Sequence, residues 1–364
     1  MITSTSDGLL AVSPQPLLAD ALLDAVLAKD EYRATDLLVG ALEEGVDAES
    51  LLLDVIAVVQ GRIGERWAAN TISVAQEHSA TAINQRCVAA LAGHPRTRTT
   101  ASRGRIAVAC VEGEWHALPA RLLAEVLKLR GWQVDFLGAQ VPSTRLIAHL
   151  HTTRTDTVAL SGSISTRLPT AHAVITACQT VGVPVLTGGA AFGPGGRYAR
   201  RLGADAWAPD ARAAADLLAA EPLPRPQPDH QQLDDLPHLT DQEYTLVTRN
   251  SSDLVRAVLT GLEDTFPAVS AYSDKHREHA AEDLAHIVEF LATALYLDED
   301  DLFASFIAWT AQILAARTVL APSVPAALGL LADELKDFPR ATRVLRHGLR
   351  ELADHHTAPA GKTA

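Results

Sequence analysis

Apolar residues recur at helical spacing through the first stretch of the chain. Leu17, Leu18, Ala21, Leu22 and Val26 form one stripe, Ala34, Leu37, Leu38 and Leu42 a second, and Leu51, Leu52, Val55, Ile56 and Val59 a third. A further helix is predicted from Ser73, because Ser73-Val74-Ala75-Gln76 has the spacing of a capping box. Amphipathic helices joined by short links predict an antiparallel four-helix bundle. The pattern then changes. Near-continuous apolar runs, IAVACV (106–111), QVDFLG (133–138), TVALSG (157–162), VPVLTG (183–188) and DAWAP (205–209), alternate with helical stretches such as ARLLAEVLKLR and PTAHAVITACQTV. Buried strands separated by helices predict a parallel sheet covered on both faces. Beyond residue 240 the pattern is helical again, with Ala- and Leu-rich segments around 251–262, 276–297, 300–317 and 323–352 and no strand signal.

Two compositional breaks divide these patterns. AGHPRTRTTASRGR (92–105) is polar and turn-rich. EPLPRPQPDHQQLDDLPHL (221–239) carries prolines at 222, 224, 226 and 228, which favour an extended, semi-rigid connector. Three blocks result, 10–92, 105–220 and 240–355, and the fold class is multidomain α and α/β. A length of 364 residues suits two or three domains. The net charge of −13, from 31 Lys and Arg against 44 Asp and Glu, opposes a phosphate-binding surface and direct DNA binding. No apolar run approaches a membrane span of about 18 to 20 residues, and the N-terminus lacks a basic leader, so a cytoplasmic location is expected. Cys87, Cys110 and Cys178 show no metal-ligand spacing and read as core thiols.

In a parallel sheet, ligands bind beyond the carboxyl ends of the strands. This selects Glu112 to Pro119, Gly138, Ser161 to Ser163, and Gly188 with Gly189. The most pointed of these is His116, in Glu114-Trp115-His116-Ala117-Leu118-Pro119. Here the chain resembles the cobalamin-binding module, a four-helix bundle capping a small Rossmann-like domain. In that family an Asp-x-His-x-x-Gly loop follows the first strand, its His ligates cobalt from below, and Ser and Gly-Gly elements after the third and fourth strands line a slot for the nucleotide tail. The resemblance implies His116 as lower cobalt ligand, Glu112, Gly113, Glu114 and Trp115 as its loop, and Ser161, Ser163, Gly188 and Gly189 as slot residues. Imidazole is a good cobalt ligand, and glycine lets backbone approach a bulky group. Two positions depart from the pattern: Glu114 replaces Asp and Pro119 replaces Gly. Glu can still accept a hydrogen bond from the ligand imidazole. Taken alone, His116 reads equally well as an ordinary loop histidine.

Trp67, followed after nine residues by Glu77-His78, resembles the light-sensing adenosylcobalamin subgroup. That likeness implies that Trp67 packs against the adenosyl group, Glu77 contacts it, and His78 becomes the upper cobalt ligand after light. Repressors of this subgroup carry a DNA-binding helix-turn-helix ahead of the bundle, and with about 15 residues before the bundle none is expected. In the last block, His279, Asp283 and His286 share one helical face, next to His276-Arg277-Glu278. A solvated polar stripe, a haem site with Arg277, Lys275 or Arg256 on the propionates, and a bilin site all fit it. The whole chain resembles the photocobilins, in which the cobalamin module is fused to a globin-like domain that binds a bilin such as biliverdin. The likeness implies Asp283 as the carboxylate on the pyrrole nitrogens, and the cysteine-free block implies non-covalent binding. The expectation is a light sensor, not an enzyme, forming a light-dependent homo-oligomer that signals to a downstream protein. The alternatives are a corrinoid protein of a methyltransferase system and a cobalamin-responsive interaction protein indifferent to light.

Overall fold

The computed structural model describes residues 14–226, 236–270, 273–316 and 323–357. Helices α1 (Pro14–Leu27) and α2 (Glu31–Glu43) lead into α3 (Ala48–Ser50), which runs through a π-helical stretch, Leu51–Ile56, into α4 (Ala57–Ala68). Helix α5 (Val74–Gly93) starts on the expected capping box: the Ser73 hydroxyl accepts from the Gln76 amide, and the Gln76 side chain accepts from the Ser73 amide. The apolar stripes meet as predicted, burying Leu22, Val26, Leu38, Leu51, Val55 and Val59. The π-helical turn was not legible in the stripes, because a π-bulge adds a residue without interrupting the apolar face.

The second unit is a five-stranded parallel sheet, order β2-β1-β3-β4-β5, with β1 (Arg105–Cys110), β2 (Gln133–Gly138), β3 (Thr157–Ser161), β4 (Val185–Gly188) and β5 (Ala206–Ala208). Each predicted apolar run coincides with a strand, although β1 starts one residue before its run, at Arg105. The crossovers are α6 (Ala117–Leu129), α7 (Ser143–Thr152), α8 (Leu168–Thr180) and α9 (Arg197–Arg201), and α10 (Ala211–Ala220) follows β5. The order reverses between β1 and β3, which opens a crevice at their carboxyl ends. At that end the β1–β2 register shifts by one residue, so that Val108 faces Phe136 but Ala109 faces Gly138. Gly138 takes φ +73°, and this bulge ends the pairing beside the crevice.

The third unit contains α11 (Glu243–Arg249), α12 (Ser251–Thr265), α13 (Pro267–Ser270), α14 (Asp274–Leu297), α15 (Asp300–Ala316), α16 (Ser323–Glu334) and α17 (Pro339–Thr357). The Ala- and Leu-rich segment 323–352 holds two helices, separated by a turn at 335–337. Pro339 explains the break, since a proline is accepted in the first turn of a helix and not in its interior.

Side-chain packing divides the molecule differently from its composition. One core joins the bundle to the α6 and α10 face of the sheet through residues such as Leu52, Ile56, Leu122, Val126 and Leu218. The other joins the α7, α8 and α9 face to the C-terminal helices, running from Ile175, Phe192 and Leu202 to Leu291, Phe303 and Leu345. The sheet is thus covered from both sides. Cys87, Cys110 and Cys178 are buried free thiols, as expected, and burial pushes them up to about 11, 12 and 12.

Candidate functional site

The loop after β1 is organised by one carboxylate. Glu114 is 1% exposed and accepts five hydrogen bonds. Its Oε1 takes the amides of Trp115 and His116 at 3.0 Å each and the His116 Nδ1 proton at 2.5 Å. Its Oε2 takes the amides of Ser163 (2.8 Å) and Ile164 (3.1 Å), and so ties the loop after β1 to the loop after β3. Burial works against this charge, but the bonds from His116 and Ser163 outweigh it and hold the carboxyl down at about 2. The consequence for His116 is specific. The Glu114 bond raises its pKa and fixes Nδ1 as the proton-bearing nitrogen, which leaves Nε2 for a metal. The longer Glu side chain therefore fills the role expected of Asp. Pro119 occupies the third position of α6, where the missing amide would have no partner within the helix.

The Glu77 charge also helps to raise His116, so the first turn of α5 lies near the β1 loop. Glu77 Oε2 bonds His78 Nδ1 at 2.6 Å and its Oε1 accepts from Thr81 at 2.7 Å. The His78 side chain is 73% exposed. Trp67, half-buried at the end of α4, lies 6.4 Å by ring centroids from Trp309 of α15. Trp115 is 70% exposed, edge-on to the His116 ring at 6.2 Å. Glu112 accepts from the amide and hydroxyl of Ser143, which fixes the β2–α7 turn and holds its carboxyl below the usual range.

Ser161, Gly188 and Gly189 line one cavity of about 110 Å³ at the strand ends, closed by Pro119, Leu123 and Asp210. Gly189 has φ +97°, and a Cβ there would stand 2.3 Å from the carbonyl oxygen of Gly162. Two backbones touch at this point, as a slot between β3 and β4 requires. Gly113, at φ +82°, carries the side chain of Arg167 against it. The buried Nε of Arg167 has no hydrogen-bond partner within the protein. An orphaned donor beside the His116 loop suits a ligand rich in amide carbonyls, such as a corrin.

Asp210, Ser143 and Arg167 are not singled out by the sequence reading. Asp210 was findable as the cap of α10, where it accepts from the Ala213 amide. Arg167 has no local signature. The residues at 279, 283 and 286 are not brought to the cleft: His279, Asp283 and His286 lie on the exposed side of α14, opposite the buried Leu284, Ile287, Val288 and Leu291.

Comparison with known proteins bears on the two N-terminal parts of the chain. Residues 18–92 and 104–218 each match a model described as a B12 binding domain, so the chain contains a helical and a sheet-based part of that kind. It is 31% identical over 178 residues to the HTH-type transcriptional repressor CarH of Myxococcus xanthus, covering 47% of this chain and 57% of that one. The chain thus spans little more than half the length of that relative. In fold it is similar to the monomethylamine corrinoid protein of Methanosarcina barkeri, with a TM-score of 0.50 and 22% identity, covering 57% of this chain and 99% of that structure. Among the described residues no helix is long and apolar enough to cross a membrane.

Proposed function

We propose that this protein is a light sensor that holds adenosylcobalamin between the bundle and the sheet. The observation that carries the reading is the His116 imidazole held by Glu114 at 2.5 Å after β1. His116, oriented by Glu114, stands on the sheet side. Trp67, Glu77 and His78 stand on the bundle side, with Glu77 close enough for its charge to act on His116. Adenosylcobalamin, when bound, supplies a cobalt–carbon bond that visible light breaks. His116 Nε2 would ligate the cobalt, while Ser161, Gly188 and Gly189 would admit the nucleotide tail. Trp67 offers a flat surface to the upper group, Glu77 accepts hydrogen bonds from its hydroxyls, and the exposed His78 is the imidazole at hand once that group leaves. Trp67 and Glu77, once without a ligand to pack on, would let the bundle shift against the sheet, read out as a change of homo-oligomer and passed to a downstream protein. The acidic chain favours a protein readout over direct contact with DNA.

The test is to load the protein with adenosylcobalamin in darkness and to compare absorbance and molecular mass before and after green light. A spectrum and mass indifferent to light would sink the proposal. We extend the reading to the C-terminal unit, where a non-covalent bilin such as biliverdin is assigned to the His279, Asp283 and His286 face of α14. Reconstitution with biliverdin is then expected to give a red band that weakens in Asp283→Ala. The second reading, a corrinoid methyl carrier, is favoured by the likeness of fold to a corrinoid protein. It predicts a preference for methylcobalamin and methyl transfer to a partner enzyme, with no response to light.

A further inference from the structure

We propose that Trp309, carried by the C-terminal helical unit, forms part of the wall against the upper face of the cobalamin cleft and selects for a bulky, flat upper group. The proposal rests on the reading of the cleft given above and adds to it a residue from outside both B12-binding regions. Trp309 is 47% exposed, an unusual state for so large an apolar side chain, and its ring meets that of Trp67 at 6.4 Å and 37°. It is not loosely held. Phe306, one turn earlier, lies 6.4 Å from it and is stacked on Phe290 of α14 at 3.6 Å, so an aromatic column runs from the bundle into the C-terminal unit.

That unit is itself fixed to the sheet. The buried His172 of α8 bonds the Tyr296 hydroxyl at 2.9 Å, and Arg197 pairs with Glu299. Helix α14 also packs on the turn Ser165–Arg167, next to the two amides that Glu114 holds. The C-terminal unit therefore reaches the cleft on the His116 side through that turn and on the bundle side through Trp309. Two indoles meeting at an angle offer a corner to a purine, which stacks on aromatic faces whatever its sequence context. A hydroxo or methyl group is too small to fill that corner. Trp309 thus distinguishes adenosylcobalamin from its smaller-ligand forms, and the C-terminal unit loses a contact when the adenosyl group is lost.

The experiment is a dark titration of wild type, Trp309→Ala, Trp309→Phe and Trp67→Ala with adenosylcobalamin and separately with hydroxocobalamin, followed by visible absorbance. Trp309→Ala is expected to weaken adenosylcobalamin binding by roughly tenfold, the scale of one lost base stack, while hydroxocobalamin binding stays within about twofold. Trp309→Phe is expected to recover part of the loss. Equal affinities of wild type and Trp309→Ala for adenosylcobalamin would overturn the role of Trp309 and leave the cleft reading intact, and so would equal loss of both cobalamins. Failure of the wild type to bind either cobalamin would sink the cleft reading itself. If Trp309→Ala does not fold, hydrogen exchange on the wild type decides. Slower exchange over 300–316 with adenosylcobalamin than with hydroxocobalamin supports the proposal, and no difference overturns it.

Discussion

Glu114 is the residue on which the His116 loop depends. Its two oxygens face five donors, among them two amides from a different strand end. Glu114→Gln keeps the size but turns one oxygen into a donor, which must then face either the Ser163 and Ile164 amides or the His116 side. We expect a loss of about 1–3 kcal/mol in denaturant unfolding, the usual cost of leaving a buried polar group unpaired. Cobalamin affinity, measured by titration, is expected to fall by roughly 10–100-fold, since His116 loses the partner that orients it. Gly189 is constrained by shape alone. Gly189→Ala places a methyl 2.3 Å from a backbone oxygen at a φ of +97°, where no flexible side chain can give way. Strain of about 1–3 kcal/mol is expected, visible as a lower Tm even without ligand.

At the level of elements, the bundle is clamped to the sheet by an ion network far from His116. Glu49 of α3 receives a two-pronged bond from Arg130 at the end of α6 (2.8 and 2.9 Å) and a third from Arg212 of α10. Arg212 also reaches Asp54 in the π-helical turn, and Arg130 pairs with Asp216. The Arg130 bond holds the Glu49 carboxyl below its ordinary value. A carboxylate depressed in the folded state stabilises that state above its unfolded pKa, and the gain is lost as pH falls through that value toward the folded one. The Tm gap between wild type and Glu49→Gln is therefore expected to be widest near neutral pH and to shrink below about pH 4.5. Raising salt at neutral pH is expected to narrow the gap only partly, because Glu49 is largely shielded from solvent. Any motion of bundle against sheet must pivot on this network or break it.

Over the whole molecule, the two cores make the sheet a shared wall, so the C-terminal helices are not a detachable appendage. A chain ending at residue 226 would lose the C-terminal half of the apolar core that also holds Ile175, Phe192 and Leu202. It is expected to associate in size-exclusion chromatography, whereas the full chain should unfold its sheet and C-terminal helices in one calorimetric transition. Tyr296→Phe is expected to lower that transition by an amount equivalent to about 1 kcal/mol, through loss of the bond to His172. Much of this architecture is legible in the sequence by itself. Periodicity of apolar residues distinguishes helix from strand, and strand ends in a parallel sheet are where loops gather, so Glu114, His116, Ser161, Ser163, Gly188 and Gly189 could be named as a group before their positions were known. The Glu114 bond to His116 follows from residues two apart and was readable for that reason. What the sequence could not decide are facts about which surfaces meet. The stripe of His279, Asp283 and His286 shows that three residues share a face, but periodicity does not say which way a face points. Only the competing burial of Leu284, Ile287 and Leu291 turns the stripe outward. Likewise the contact of Trp67 with Trp309 joins residues 242 positions apart, and Arg167 gains its place only when the β1 and β3 loops are brought side by side. Local chemistry is written in neighbouring residues, whereas the joining of bundle, sheet and C-terminal helices is settled by the apolar surface each leaves to be covered.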